Sequence, residues 1–98
     1  MNNPFNLAGR TVLITGASSG IGRQCAISCS EQGAGLILLG RREDALQETA
    51  AQCGAGPVFT ASVDMQNYAE LAGVVKEGVD ALGRVSGVIH CAGISTTL

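Results

Sequence analysis

The chain has 98 residues, 46% of them hydrophobic, and a formal net charge of −2, which together favour one small folded domain over a disordered segment. Its six lysines and arginines are scattered along the sequence, so no basic stripe predicts a nucleic-acid partner. The longest run of strong hydrophobes, Leu36–Leu39, is too short to span a bilayer, and residues 1–6 lack the charged and apolar regions of a secretory signal, so we expect no membrane partner.

The first strand and the first helix are predicted within residues 11–32. Thr11–Thr15 is apolar enough for a strand that is buried on both faces. A glycine-rich turn follows it. We expect a helix from about Gly20 to Gln32, which Gly33 ends.

The next strands and helices follow the same alternation. Leu36–Leu39 is the second predicted strand, and a helix should run from Glu43 to about residue 53, with acidic residues in its first turn where the helix dipole favours them. Val58–Ser62 is the third predicted strand, which is more polar because it contains Thr60 and Ser62.

The last helix and strand are predicted over residues 68–91. Tyr68–Leu82 has an apolar face at helical spacing, formed by Tyr68, Leu71, Val75 and Leu82. Gly83 ends that helix, and Val85–Cys91 is the fourth predicted strand, which we expect to be buried.

Alternating strands and helices predict an α/β fold with a parallel sheet. Right-handed crossovers give a partial, four-stranded doubly wound sheet of Rossmann type, in the order 3-2-1-4. The strand order reverses between the first and fourth strands, and ligands of such sheets bind there, beyond the carboxyl ends of the strands.

The four cysteines, Cys25, Cys29, Cys53 and Cys91, show no paired CxxC spacing. Cys25 and Cys29 lie one helical turn apart and could present two thiols to a metal. We favour two small core hydrophobes on one helix face, because a zinc site usually takes four ligands. We therefore expect no metal site, and thiols of this kind fit a reducing cytoplasm.

The turn after the first strand reads TGASSGIG, residues 15–22. Gly16 can make the sharp turn, Gly20 lets the backbone approach a pyrophosphate, and Gly22 lets the helix pack closely. Backbone N–H groups at the helix start would face the phosphates, and the helix dipole adds about 0.3–1 kcal/mol. The turn therefore predicts a dinucleotide site; the alternative is a glycine-rich turn without a ligand.

TGASSGIG at this place resembles the glycine motif of the short-chain dehydrogenase/reductase family, in its non-extended branch. Three features in the expected order support the resemblance: Asp64 follows the third strand, Leu7–Arg10 leads into the first strand, and His90-Cys91-Ala92-Gly93 ends the fourth. The family usually has Asn-Asn-Ala-Gly at that last place. The resemblance covers the chain from about Phe5 onward. It implies an NAD(P)-dependent oxidoreductase that moves hydride between the cofactor and a small carbonyl or alcohol.

The resemblance also implies which residues bind the cofactor. Those of the turn are Gly16, Ser18, Ser19, Gly20, Ile21 and Gly22. Asp64 would accept a hydrogen bond from the adenine amino group, with Met65 packed beside it, although an Asp at a strand end is also an ordinary cap. Ala92 and Gly93 would leave room on the path to the nicotinamide. Cys91 replaces the usual Asn, and a thiol cannot reproduce the hydrogen bonds of an amide.

Gly40-Arg41-Arg42 follows the second strand, where NAD-specific members carry an acid for the ribose 2′-hydroxyl. Gly40 removes the carboxylate that would repel a 2′-phosphate, and Arg41, with Arg42 beside it, can donate hydrogen bonds to one. The pattern favours NADP as cofactor over NAD, which stays possible. The alternative is that both arginines are solvated turn residues.

His90 could serve as an acid or base, but its place in a predicted buried strand favours a hydrogen-bonded structural histidine. Neighbouring residues of a strand point to opposite faces, so His90 and Cys91 should not form a nucleophilic pair. The family's catalytic Tyr-x-x-x-Lys is absent: Tyr68 and Lys76 are the one tyrosine and the one lysine, eight positions apart. We therefore assign no catalytic residue.

The sequence thus reads as residues 1–98 of a single nucleotide-binding domain, cut after the fourth strand and inactive alone. The parent is expected to be a homo-oligomer, as is common in the family. A non-enzymatic nucleotide-binding module is the alternative. A methyltransferase that uses S-adenosylmethionine would normally need an acid after the second strand, and Gly40 counts against it.

Overall fold

Strands and helices alternate along the chain in the computed structural model, which describes residues 7–18, 20–54 and 56–91. The strands are β1 (Thr11–Thr15), β2 (Gly35–Gly40), β3 (Val58–Ser62) and β4 (Val85–His90). The helices are α1 (Gly20–Glu31), α2 (Glu43–Ala51) and α3 (Tyr68–Leu82). None of these helices is long and apolar enough to cross a membrane.

The four strands form one parallel sheet in the order β3-β2-β1-β4, which confirms the predicted topology and fold class. β1 pairs with β2 on one side, with Thr11 opposite Gly35, and with β4 on the other, with Thr15 opposite His90. The strand order therefore reverses at β1 and β4. Their carboxyl ends meet at the edge where a ligand of such a sheet binds.

The sheet separates two clusters of apolar side chains. Because side chains alternate along a strand, Ile14 packs on the side of α1 and α2, and Leu13 packs on the side of α3. β1 and β2 are buried along their whole length, as central strands between two helical layers must be. These two strands form the buried centre of the sheet, and the candidate site lies beyond their carboxyl ends.

Helix α3 packs against β2 and β3 and leaves β4 largely uncovered. β4 consequently alternates between half-buried and exposed residues, and Val88 is 64% exposed. The prediction of a buried fourth strand is wrong for this reason. Within the described part of the chain, β4 has a strand neighbour on one side only.

Several predicted boundaries shift by one or two residues. α1 ends at Glu31, one residue early, and Gly33 adopts a φ of 94° in the turn that follows. β2 is longer than expected by one glycine at each end, α2 ends at Ala51 and β4 ends at His90. Such differences arise because helix and strand ends depend on hydrogen bonds that composition does not reveal.

Tyr68 does not belong to the apolar face of α3, contrary to the prediction. It is the first residue of the helix and is 78% exposed. The part of α3 that packs against the sheet begins at Leu71. Asn67 caps the helix by accepting a hydrogen bond from the Glu70 N–H at 3.1 Å. Leu71 and Leu82 pack against the sheet as predicted.

All four cysteines are free thiols that lie in or against the cluster on the α1 and α2 side. Burial raises the pKa of the Cys29, Cys53 and Cys91 thiols, and a neighbouring cysteine raises each further. In residues 7–18, 20–54 and 56–91 no group of three or more His, Cys, Asp or Glu side chains is placed to hold a metal. The packing of the thiols in or against that apolar cluster is the arrangement favoured from the sequence.

Candidate cofactor site

The turn between β1 and α1 needs glycine for two separate reasons. Gly16 and Gly20 have φ angles of 72° and 59°, a left-handed conformation that costs little only for glycine. Gly22 has no room for a side chain, because a Cβ there would lie 2.7 Å from the carbonyl carbon of Gly16 and closer still to its oxygen. The helix can therefore approach the turn this closely only with glycine at position 22.

The start of α1 faces the same edge of the sheet. Its first N–H groups have no partner inside the helix, and no acidic side chain occupies its first turn. Ile21 is exposed beside the turn. A helix start of this kind attracts an anionic group, so the predicted phosphate role of Gly20, Ile21 and Gly22 has a matching electrostatic setting.

Arg23 contacts this turn and was not predicted from the sequence. Its Nη2 donates to the Ser18 carbonyl at 2.7 Å and to the Ala45 carbonyl at 3.0 Å, and its Nε donates to Thr49 Oγ1 at 2.8 Å. The Thr49 hydroxyl in turn donates to the Ala17 carbonyl at 2.8 Å. The guanidinium therefore joins the glycine turn to α2.

Arg23 escapes prediction because a single arginine on a helix normally indicates a solvated side chain. Its acceptors in α2 lie 22 and 26 positions along the chain, so no local pattern connects them. The one available signal is its position directly after Gly22, which places it on the first turn of the helix.

The end of β2 carries the residues predicted to select the cofactor. Gly40 is buried, and a Cβ there would meet the Ser18 Oγ and lie 3.2 Å from Leu46 Cδ2. Arg41 and Arg42 are both exposed. Position 40 therefore has no room for a side chain, whereas the side chains at positions 41 and 42 are exposed to solvent.

The two arginines differ in their partners. Arg42 Nη2 pairs with Asp44 Oδ2 at 3.3 Å, and both side chains are exposed, so the pair contributes little to stability. The pKa of Asp44 is lowered by the Ala45 N–H and then by Arg42. Nothing within the described ranges forms a hydrogen bond or ion pair with the guanidinium of Arg41. Arg41 is therefore the better placed of the two to bind a ligand.

Asp64 and Met65 lie just beyond β3, next to the end of β2. Asp64 is exposed, and its Oδ1 accepts a hydrogen bond from the Gln66 N–H at 2.9 Å. The carboxylate thus caps its own turn, which is the alternative role named for it in the sequence. Its Oδ2 forms no hydrogen bond with the residues that the structure describes. Met65 is half-buried against the α3-side cluster. Both residues follow β3, and their adenine role stays a prediction.

His90 and Cys91 diverge at the end of β4, as predicted. His90 Nδ1 and Thr15 Oγ1 form a hydrogen bond of 2.7 Å, so His90 is tied to the neighbouring strand, although it is exposed rather than buried. Cys91 is buried beside Cys25 in the cluster on the α1 and α2 side of the sheet. Its N–H donates to the Thr15 carbonyl at 3.0 Å. Three further predicted residues, Ser19, Ala92 and Gly93, lie outside the residues that the structure describes.

A parallel sheet with a glycine turn at its strand reversal is typical of dinucleotide-binding α/β proteins. The model of the family described as short chain dehydrogenase matches residues 10–98, and the chain belongs to that family.

The chain is similar to curated proteins across nearly its whole length. It is 38% identical over 96 residues to 11-beta-hydroxysteroid dehydrogenase-like 2 of Arabidopsis thaliana, covering 95% of this chain and 31% of that protein. It is 37% identical over 99 residues to 3-ketodihydrosphingosine reductase of Bos taurus, covering 94% of this chain and 30% of the relative. The chain therefore spans about a third of the length of these relatives.

Solved structures show the same arrangement. A short chain dehydrogenase from Mycobacterium paratuberculosis bound to NAD is 31% identical with a TM-score of 0.86, over 93% of this chain and 39% of that one. Carveol dehydrogenase from Mycobacterium avium in complex with NAD is 28% identical with a TM-score of 0.87, over 94% of this chain and 38% of the neighbour.

Proposed function

We propose that this chain is the cofactor-binding part of an NAD(P)-dependent oxidoreductase that acts on a carbonyl or alcohol group of a small molecule. The observation that carries the proposal is the glycine turn at the sheet reversal, where Gly16 and Gly20 have positive φ angles and Gly22 packs against the Gly16 carbonyl with no room for a side chain. When bound, the dinucleotide supplies or accepts the hydride. The turn residues, with Asp64 at the adenine end, would hold it.

The proposed cofactor is NADP rather than NAD. An acidic side chain at the end of β2 would bind the 2′-hydroxyl of NAD, and Gly40 leaves no carboxylate there. Arg41 is exposed and unpaired within the described ranges, so its planar donors can meet a 2′-phosphate. Arg42 is already paired with Asp44 and takes the lesser role.

The matched pair Arg41→Ala and Arg42→Ala tests this choice in the complete gene product. Isothermal titration of NADPH and NADH against each variant gives four dissociation constants to compare with the wild type. We expect Arg41→Ala to weaken NADPH binding by about ten- to a hundredfold, since a hydrogen bond to a charged group is lost, and to leave NADH binding nearly unchanged. Arg42→Ala should have the smaller effect. Equal losses for both cofactors would reduce Arg41 to a turn residue.

The alternative function is a nucleotide-binding module without catalysis. Within residues 7–18, 20–54 and 56–91, Tyr68 and Lys76 are eight positions apart on α3, and Lys76 pairs with Asp80 at 3.0 Å, so these two side chains do not form the family's Tyr-x-x-x-Lys pair. His90 Nδ1 is engaged by Thr15. A complete gene product that binds NADPH tightly but oxidises it with no ketone or aldehyde of a broad panel would support this alternative.

A further inference from the structure

We propose that Arg23, together with Thr49, is a positioning residue of the dinucleotide site. The guanidinium holds the glycine turn in the conformation that binds the pyrophosphate and fixes that turn to α2. The proposal rests on the proposed function, because it names the residues that organise that same site.

The first support is the direction of the turn carbonyls. The Ala17 carbonyl accepts from Thr49 Oγ1 at 2.8 Å, and the Ser18 carbonyl accepts from Arg23 Nη2 at 2.7 Å. A peptide unit is planar, so its N–H points away from its own C=O. Holding the Ala17 carbonyl toward α2 therefore holds the Ser18 N–H in the opposite direction. These bonds set which backbone groups the turn presents to a ligand.

The second support is burial. Thr49 is fully buried, and the side chain of Arg23 is only 25% exposed. A charged group taken this far out of water needs hydrogen-bond partners, and the guanidinium has three well-formed ones in Ser18, Ala45 and Thr49. Its ion pair with Glu48 at 3.4 Å lies at the surface and is of little weight. The guanidinium is therefore held by two carbonyls and one hydroxyl rather than by a salt bridge.

The third support is the pair of segments that Arg23 and Thr49 connect. We call these two residues and their hydrogen bonds the clamp. Ala45 and Thr49 belong to α2, which begins immediately after Arg41 and Arg42. Arg23 thus joins the segment proposed to hold the pyrophosphate to the helix that follows the segment proposed to hold the 2′-phosphate. Lysine has one nitrogen and cannot reproduce donors that leave Nε and Nη2 in one fixed plane.

The pyrophosphate is common to both cofactors, so loss of the clamp should weaken NADPH and NADH by the same factor. We expect about a tenfold loss for each in Arg23→Met and in Thr49→Val, since each change removes buried hydrogen bonds to the turn. Arg23→Lys should recover only part of the affinity. Thr49→Ser, which keeps the hydroxyl, should recover most of it.

The measurements are made on the complete gene product, with two controls. Glu48→Gln removes only the surface ion pair and should leave both dissociation constants unchanged. Leu36→Val removes a buried methylene at the far end of β2 and should lower the free energy of unfolding without changing affinity, so it separates positioning from general destabilisation. Hydrogen–deuterium exchange of the peptide that contains residues 16–18 reports the turn directly, and it should speed up in Arg23→Met but not in Glu48→Gln.

Unchanged dissociation constants in Arg23→Met and Thr49→Val would overturn the proposal, as would losses no larger than those of Leu36→Val at matched stability. A loss confined to NADPH would also overturn it, because it would place Arg23 at the 2′-phosphate instead. If the wild-type protein bound neither dinucleotide, the proposed function would fail. The exchange experiment would then decide alone: unaltered exchange of the turn in Arg23→Met rejects the clamp, and faster exchange supports it.

Discussion

The hydroxyl of Ser18 lies against Gly40 and fills the space that a side chain at position 40 would need. The two residues belong to different segments, the glycine turn and the end of β2. Leu46 closes the same space from α2, with its Cδ2 3.2 Å from the Cβ that position 40 lacks. An acidic side chain at position 40 would therefore collide with the serine at position 18 of the turn.

Gly40→Asp should consequently destabilise the protein, because the new side chain overpacks a filled space at a cost of about 1–3 kcal/mol. Ser18→Gly in the same chain should relieve part of that cost. We expect a coupling free energy of at least about 0.5 kcal/mol in a double-mutant cycle, measured by urea unfolding of the four proteins. Strictly additive effects would mean that the serine turns aside without cost.

Gly22→Ala and Gly73→Ala form a second matched pair, since both replace a helical glycine. A Cβ at Gly22 meets the Gly16 backbone, which cannot turn aside, whereas a Cβ at Gly73 has no atom within 4 Å. We expect Gly22→Ala to lower the free energy of unfolding by about 1–3 kcal/mol and to weaken dinucleotide binding.

In contrast, Gly73→Ala should raise the free energy of unfolding by about 0.5–1 kcal/mol, because alanine loses less backbone entropy than glycine in a helix. Urea unfolding measures both changes under one set of conditions. An increase in stability for both variants would show that α1 can move away from the turn.

Thr15→Val tests the link between β1 and β4. Thr15 bonds to His90 at 2.7 Å, while Thr11, at the other end of β1, reaches the Leu82 carbonyl only at 3.5 Å. Both threonines are buried. Thr15→Val should lower the free energy of unfolding by about 0.5–1.5 kcal/mol, and Thr11→Val should change it much less. Thermal or urea unfolding that gives the same result for both would show that the His90 bond adds no stability.

The topology was predictable because it depends on patterns of many residues. β1, β3 and α3 have the predicted bounds. For β1 and α3 the reason is that a continuous apolar run or a long amphipathic repeat carries its own signal. The need for glycine in the turn was predictable as well, because the motif is local. In each of these cases the residues that decide the structure are neighbours in sequence.

Tyr68, His90 and Arg23 were misjudged or missed for a common reason. The exposure of Tyr68 and His90 depends on which strands α3 covers, and the role of Arg23 depends on carbonyl groups brought to it by α2. These contacts arise from tertiary packing between segments far apart in the chain. Spacing within a single helix or strand contains no record of them.

The position of β4 beside β1 has a consequence for the order in which the molecule folds. β2 returns to β1 after a single helix, but Thr15 and His90 are 75 positions apart. Closing a loop about three times longer costs about 1 kcal/mol more in chain entropy, and contacts of high sequence separation slow folding. The strands and helices up to β3 can therefore assemble first, with the glycine turn and Arg23 already in place. Docking of β4 against β1 would be the late step.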